Sequence, residues 1–138
     1  MILDRIKNIA EDFEMFDNDL DKYEYIVDIG KTTTKIDSTL LKDEFLISGC
    51  MSKVWLIPEF NNGKIHFKGD SNSSIVKGLV HILVSIFNDL EPEEITNFDF
   101  DKLETLKLEE IISPSRQNGV FHMIEKIKHY SEIYRKEK

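Results

Sequence analysis

One cysteine, one tryptophan and three prolines are all that 138 residues contain of those types, and basic residues are outnumbered by acidic ones, 18 to 26. Each shortage excludes something. A single cysteine cannot close an intramolecular disulfide, which suits a reducing compartment, and a cytoplasmic location is the expectation. It cannot build a thiolate-rich zinc or iron–sulfur site within one chain either. The net charge of −8 repels a phosphate backbone, so no nucleic-acid partner is expected. The one basic cluster, Arg135-Lys136-Glu137-Lys138, reads as a solvated helix end. Long apolar runs are also missing. The most apolar stretch, Ile75 to Phe87, is broken by Lys77 and His81 and is too short for a bilayer. The opening, MILDRIKNIAEDF, carries acids early and reads neither as a secretory signal nor as a transit peptide.

What is present describes one globular unit. Hydrophobic residues make up 41% and charged residues 32%, and a chain of this length buries roughly 68% of its unfolded surface. A single domain over residues 1–138 is expected, with no repeat or linker. Ile2, Ile6, Ile9, Phe13 and Phe16 step by three and four, one stripe of a helix. Leu20, Tyr23, Ile26 and Val27 repeat the pattern over 19–29, and Gly30 reads as the helix stop. Residues 31–44 read as an irregular connection.

Strand signals follow. Phe45-Leu46-Ile47 reads as a short strand, KVWLIPEF as a second and KIHFKG as a third. Asn61-Asn62-Gly63 makes a hairpin turn of the last two. Pro58 places its position at an edge or bulge. Asp70 and Ser71 are expected to cap a central helix whose face carries Ile75, Leu79, Ile82, Leu83 and Ile86. Pro92 opens a short helical turn, another short helix is expected over 102–108, and Ser113-Pro114 opens the last helix. The fold class is therefore α+β, a small antiparallel sheet packed against several helices.

Chemistry has few carriers here. His66, His81, His122 and His129 lack metal-ligand spacing, so no metal site is expected, and they read as ordinary surface or half-buried side chains. The segment GDSNSSIVKG lacks the spacing of a phosphate-binding loop. Arg116 falls in a first helical turn, against the helix dipole, and so either pairs with an acid or faces a partner. Cys50 has two readings. A lone cysteine is commonly a buried structural residue. Ser48, Gly49 and Ser52 around it instead suit a flexible loop tip. An unperturbed thiol near pKa ~8.5 is about 3% thiolate at pH 7, enough for slow nucleophilic chemistry.

Three segments, SGCMSKVW, GDSNSSIVKGL and ISPSRQNGV, in this order resemble the signature blocks of SufE-type sulfur-acceptor proteins. YEYIVDIGK and PEEITNFD extend the resemblance over nearly the whole chain. The resemblance implies a carrier without turnover of its own. It would accept sulfane sulfur onto Cys50 from the persulfide of a SufS-type cysteine desulfurase, stimulate that enzyme, and deliver sulfur to a SufBCD-like iron–sulfur scaffold. Pyridoxal phosphate would belong to the desulfurase, and this chain would need no cofactor. Gly49, Met51, Ser52, Asp70, Asn72 and Arg116 become candidates for loop support or partner docking, with Val54-Trp55 anchoring the far side of the loop in the core. Met51 and Lys53 stand where the family commonly has glutamine, and Asn72 where it commonly has aspartate. Monomer and homodimer both stay open. The alternative is a non-catalytic interaction module with a structural cysteine. A thiol hydrolase would need a histidine near Cys50.

Overall fold

The computed structural model describes residues 1–33, 36–47 and 52–137. In chain order come α1 (Ile2–Glu14), α2 (Asp19–Thr32), β1 (Val54–Asn61), β2 (Lys64–Ser71), α3 (Ser74–Phe87), α4 (Pro92–Thr96) and α5 (Pro114–Glu137). Short 3₁₀ segments, of three to seven residues, fill several connections. The two strands form one antiparallel sheet, and the fold is α+β as expected.

The hairpin forms for the reason its sequence suggests. Asn62 and Gly63 hold φ of 54° and 78°, the two positive values that a two-residue turn needs to match strand twist. Pairing then runs from Asn61–Lys64 to Val54–Ser71. Pro58 lies opposite Phe67, whose N–H points outward to Asn88 Oδ1 at 2.8 Å. The missing donor of Pro58 therefore faces away from β2, and no ladder bond is lost.

The core gathers around α3, whose Ile75, Leu79, Ile82, Leu83, Ile86 and Phe87 are all buried. On one side it meets the sheet face formed by Val54, Leu56, Ile65 and Phe67. It comes so close over β2 that a Cβ on Gly69 would lie 2.0 Å from Val80 Cγ1. On another side α2 crosses it with backbone touching backbone. A Cβ on Gly78 would lie 2.0 Å from the Ile26 carbonyl oxygen, and one on Gly30 would lie 2.6 Å from the Ser74 oxygen. Arg5 on α1 satisfies the end of α3 by donating to the Ile86 and Asn88 carbonyls at 2.9 and 2.6 Å. α5 closes the sheet face, with Tyr134 stacked on Phe60 at 4.9 Å and Tyr130 against Phe67 at 6.4 Å.

Several expectations are corrected. Gly30 does not stop α2, which continues to Thr32; it is a buried helical residue kept small by the approach of α3. Leu20 is 67% exposed and lies outside the core. The strand expected at 45–47 shrinks to one bridge, Leu46 to Trp55, because Asp43–Phe45 winds into a 3₁₀ turn. The connection over 31–44 is also partly wound, at Ser38–Leu40. The helix expected over 102–108 is 3₁₀ rather than α and breaks at Lys107, where φ is 52°.

The helix crossing yields a stability prediction. Gly78→Ala forces α2 away from α3 and is expected to cost about 2–3 kcal/mol. Thermal denaturation followed by circular dichroism should show a melting temperature lower by roughly ten degrees. A melting point equal to wild type would mean that the two backbones do not touch.

Candidate functional site: the stem of the cysteine loop

Ser48, Gly49, Cys50 and Met51 fall outside the described residues. The two ends from which they hang are described, and they form a stem. On the incoming side the Ile47 N–H donates to the Val54 carbonyl at 2.8 Å, and Leu46 bridges to Trp55. On the outgoing side the Lys53 N–H donates to Asn72 Oδ1 at 3.0 Å, while the Asn72 N–H donates back to the Lys53 carbonyl at 3.2 Å. Ile47 and Val54 are buried and Ser52 is half-buried. The entry is therefore tied to the first residues of β1 and the exit to the turn that follows β2.

Asn72 occupies the turn between β2 and α3, so the start of the central helix sets where the clamp sits. The turn itself is braced from within. Asp70 Oδ1 accepts from the Ser71 N–H at 2.8 Å and from Lys77 Nζ at 3.4 Å, and Ser71 Oγ accepts from the Ser73 N–H at 3.2 Å. Asp70 and Ser71 thus do not cap α3, as the sequence suggested: they end β2, and the N-cap residue is Ser73, without a side-chain bond. Asp70 is only 8% exposed, so removing its charge partner Lys77 would strand a carboxylate largely shielded from water.

Val54 and Trp55 divide the work expected of them. Val54 is fully buried on the core face, whereas the alternation of the strand sends half-buried Trp55 to the other face, opposite Asp70. The Trp55 indole Nε1 is buried without a partner among the described residues. Arg116 occupies the third residue of α5 and is half-buried. Its backbone N–H donates to Ser113 Oγ at 3.4 Å, and its guanidinium forms no ion pair with a described residue.

The structure also assembles something the spacing left scattered. His122 and His129, with Glu125 and Lys126, line a recess of about 250 Å³ against Leu46 and Ile47 at the foot of the loop. Their separation of seven residues, two helical turns, was the available signal for one shared flank. The other two histidines are elsewhere. His66 pairs with Asp89. His81 lines a separate recess beside Phe67 and Ile36, and partial burial holds its imidazole below the ordinary pKa.

The clamp makes a direct prediction. Asn72→Ala removes the acceptor of the Lys53 N–H and should cost about 1 kcal/mol locally, read as roughly fivefold faster amide exchange at Lys53. Asn72→Asp keeps an oxygen in place and should retain wild-type exchange. Equal exchange in all three proteins would dissolve the clamp.

Comparison with known proteins gives the family and the fold. Residues 7–131 match the SufE family, described as an Fe–S metabolism associated domain. An uncharacterized SufE-like protein of Rhizobium meliloti is 33% identical, over 92% of this chain and 94% of its own length. One of Rhizobium etli is 29% identical over 93% and 90%. The solution structure of a hypothetical protein from Thermus thermophilus superposes with a TM-score of 0.76 over 96% of each chain at 14% identity, a likeness of fold. The chain belongs to the SufE family, whose domain is associated with Fe–S metabolism.

Proposed function

We propose that the protein is a sulfur carrier whose acceptor is the Cys50 thiolate. The reading rests on one observation above the others: the only thiol of the chain lies in a short segment whose flanking residues are both pinned, Ile47 to Val54 at the start of β1 and Lys53 to Asn72 in the turn after β2. Clamped ends confine where the segment is displayed, which favours a thiol that must meet another protein's sulfur in a repeatable geometry. Membership in a family associated with Fe–S metabolism supports the direction of that traffic.

The chemistry is a thiol exchange. Cys50 first loses its proton to solvent. Its Sγ then attacks the outer sulfur of a persulfide on a SufS-type cysteine desulfurase. One S–S bond forms on Cys50, the S–S bond on the desulfurase breaks, and the desulfurase cysteine leaves as a thiolate. The transferred sulfur keeps its oxidation state, so no outside oxidant or reductant is consumed. A second exchange passes the sulfur to a SufBCD-like scaffold in the cytoplasm. The carrier has no turnover without the desulfurase and binds no cofactor of its own; pyridoxal phosphate works in the partner.

The clamp clarifies two departures from the family pattern. Lys53 takes part through its backbone, so its side chain is free to differ. Asn72 supplies a carbonyl oxygen where aspartate would supply a carboxylate oxygen.

Incubating the protein with a desulfurase and L-cysteine, then weighing it intact, tests the proposal. Wild type should gain the mass of a sulfur atom on Cys50, and Cys50→Ser should gain none and fail to stimulate the desulfurase. Stimulation by Cys50→Ser equal to wild type would favour an interaction module with a structural cysteine. Hydrolysis of a thioester by the protein alone, lost in His122→Gln or His129→Gln, would favour a thiol hydrolase that uses the recess beside Ile47.

A further inference from the structure

We propose a second docking surface, on the flank of α5 turned away from Leu46 and Ile47, that receives a basic amphipathic helix of a partner protein. Successive residues of a helix turn by about 100°, which separates the two flanks. His122, Lys126 and His129 face Leu46 and Ile47. Gln117, Phe121, Ile124 and Lys128 face the segment that follows α4.

Along that outer flank run two recesses, of about 340 and 480 Å³, joined through Phe100 and Asp101, which line both. Together they follow α5 from Gln117 to Glu132, roughly 22 Å of helix. The floor is apolar: Phe100, Leu108 and Ile124 are half-buried, and Phe121 is 55% exposed. A ring of that size left open to water is unfavourable by itself, and covering it is a source of binding energy.

The charge around the floor selects the occupant. Asp101, Glu104 and Glu109 are exposed on its rim, and Asp99 lines the larger recess. The one lining cation among the described residues, Lys128, lies 4.7 Å above the Phe100 ring and 3.4 Å from Glu125. Lys102 and Lys107 belong to the same segment but line neither recess. An apolar floor inside a rim of carboxylates complements a helix with Leu, Ile or Phe anchors flanked by Lys or Arg. A straight flank of about four turns suits a helix better than an extended strand. The inference does not depend on the role of Cys50. A carrier that visits two proteins could keep one while its loop engages the other.

The test uses the full chain and two synthetic helical peptides of roughly 16 residues with the same leucine stripe. One carries lysines beside the stripe and the other glutamates. Amide shift mapping and calorimetry should show binding of the lysine peptide alone, centred on Glu104, Phe121 and Ile124. Phe121→Ala should weaken it about tenfold, as should Glu104→Lys with Glu109→Lys; unchanged melting curves confirm that these surface variants fold. Cys50→Ser should bind like wild type. Equal binding of both peptides, or shifts centred elsewhere, would overturn the proposal. So would self-association abolished by Phe121→Ala, which would assign the groove to a second copy. Loss of binding in Cys50→Ser would overturn the separation of the two surfaces.

Discussion

The contact of two helix backbones at Gly30 and Gly78 governs the rest of the molecule. No side chain fits between them: a Cβ at either position would fall within 3 Å of the other helix's backbone. α3 is therefore held at one height against α2, and Gly69 lets the sheet close on its opposite side. The turn that carries Asn72 leads directly into α3, so the position of that helix passes to the clamp on Lys53 and through it to the segment bearing Cys50. Packing of α2 on α3 thus bears on where the residue that follows the segment is held.

α5 distributes three tasks around its circumference. One side carries Val120, Met123, Ile127 and Tyr130 into the core. A second presents His122 and His129 to the foot of the loop, and the third offers Phe121 to a surface rimmed by acids. In a chain of net charge −8, His122, Lys126 and His129 line the recess there together with Glu125, so the stem carries groups of both signs.

Local rules made part of this legible. Turn chemistry placed Asn62 and Gly63, and periodicity identified α3, all of whose apolar residues are buried. The failures have specific causes. Gly30 carried a stop signal, but its smallness serves a neighbour 48 residues away, which a local rule cannot detect. Leu20 fitted the helical stripe, yet no element covers that end of α2. Leu46 looked like a strand residue and obtains only one bridge, since the preceding residues turn away. The candidate site was half readable. Resemblance selected Cys50, Asp70, Asn72 and Arg116, but only the fold reveals that Asn72 grips Lys53 through its backbone and that two histidines stand at the stem.

The central claim is that folding presents Cys50 for reaction rather than hiding it. Its alkylation rate by iodoacetamide, compared between native protein and protein unfolded in urea at one pH, measures this directly. The account predicts a native rate at least equal to the unfolded one. Protection by about a hundredfold or more on folding would contradict it and make Cys50 a buried structural residue.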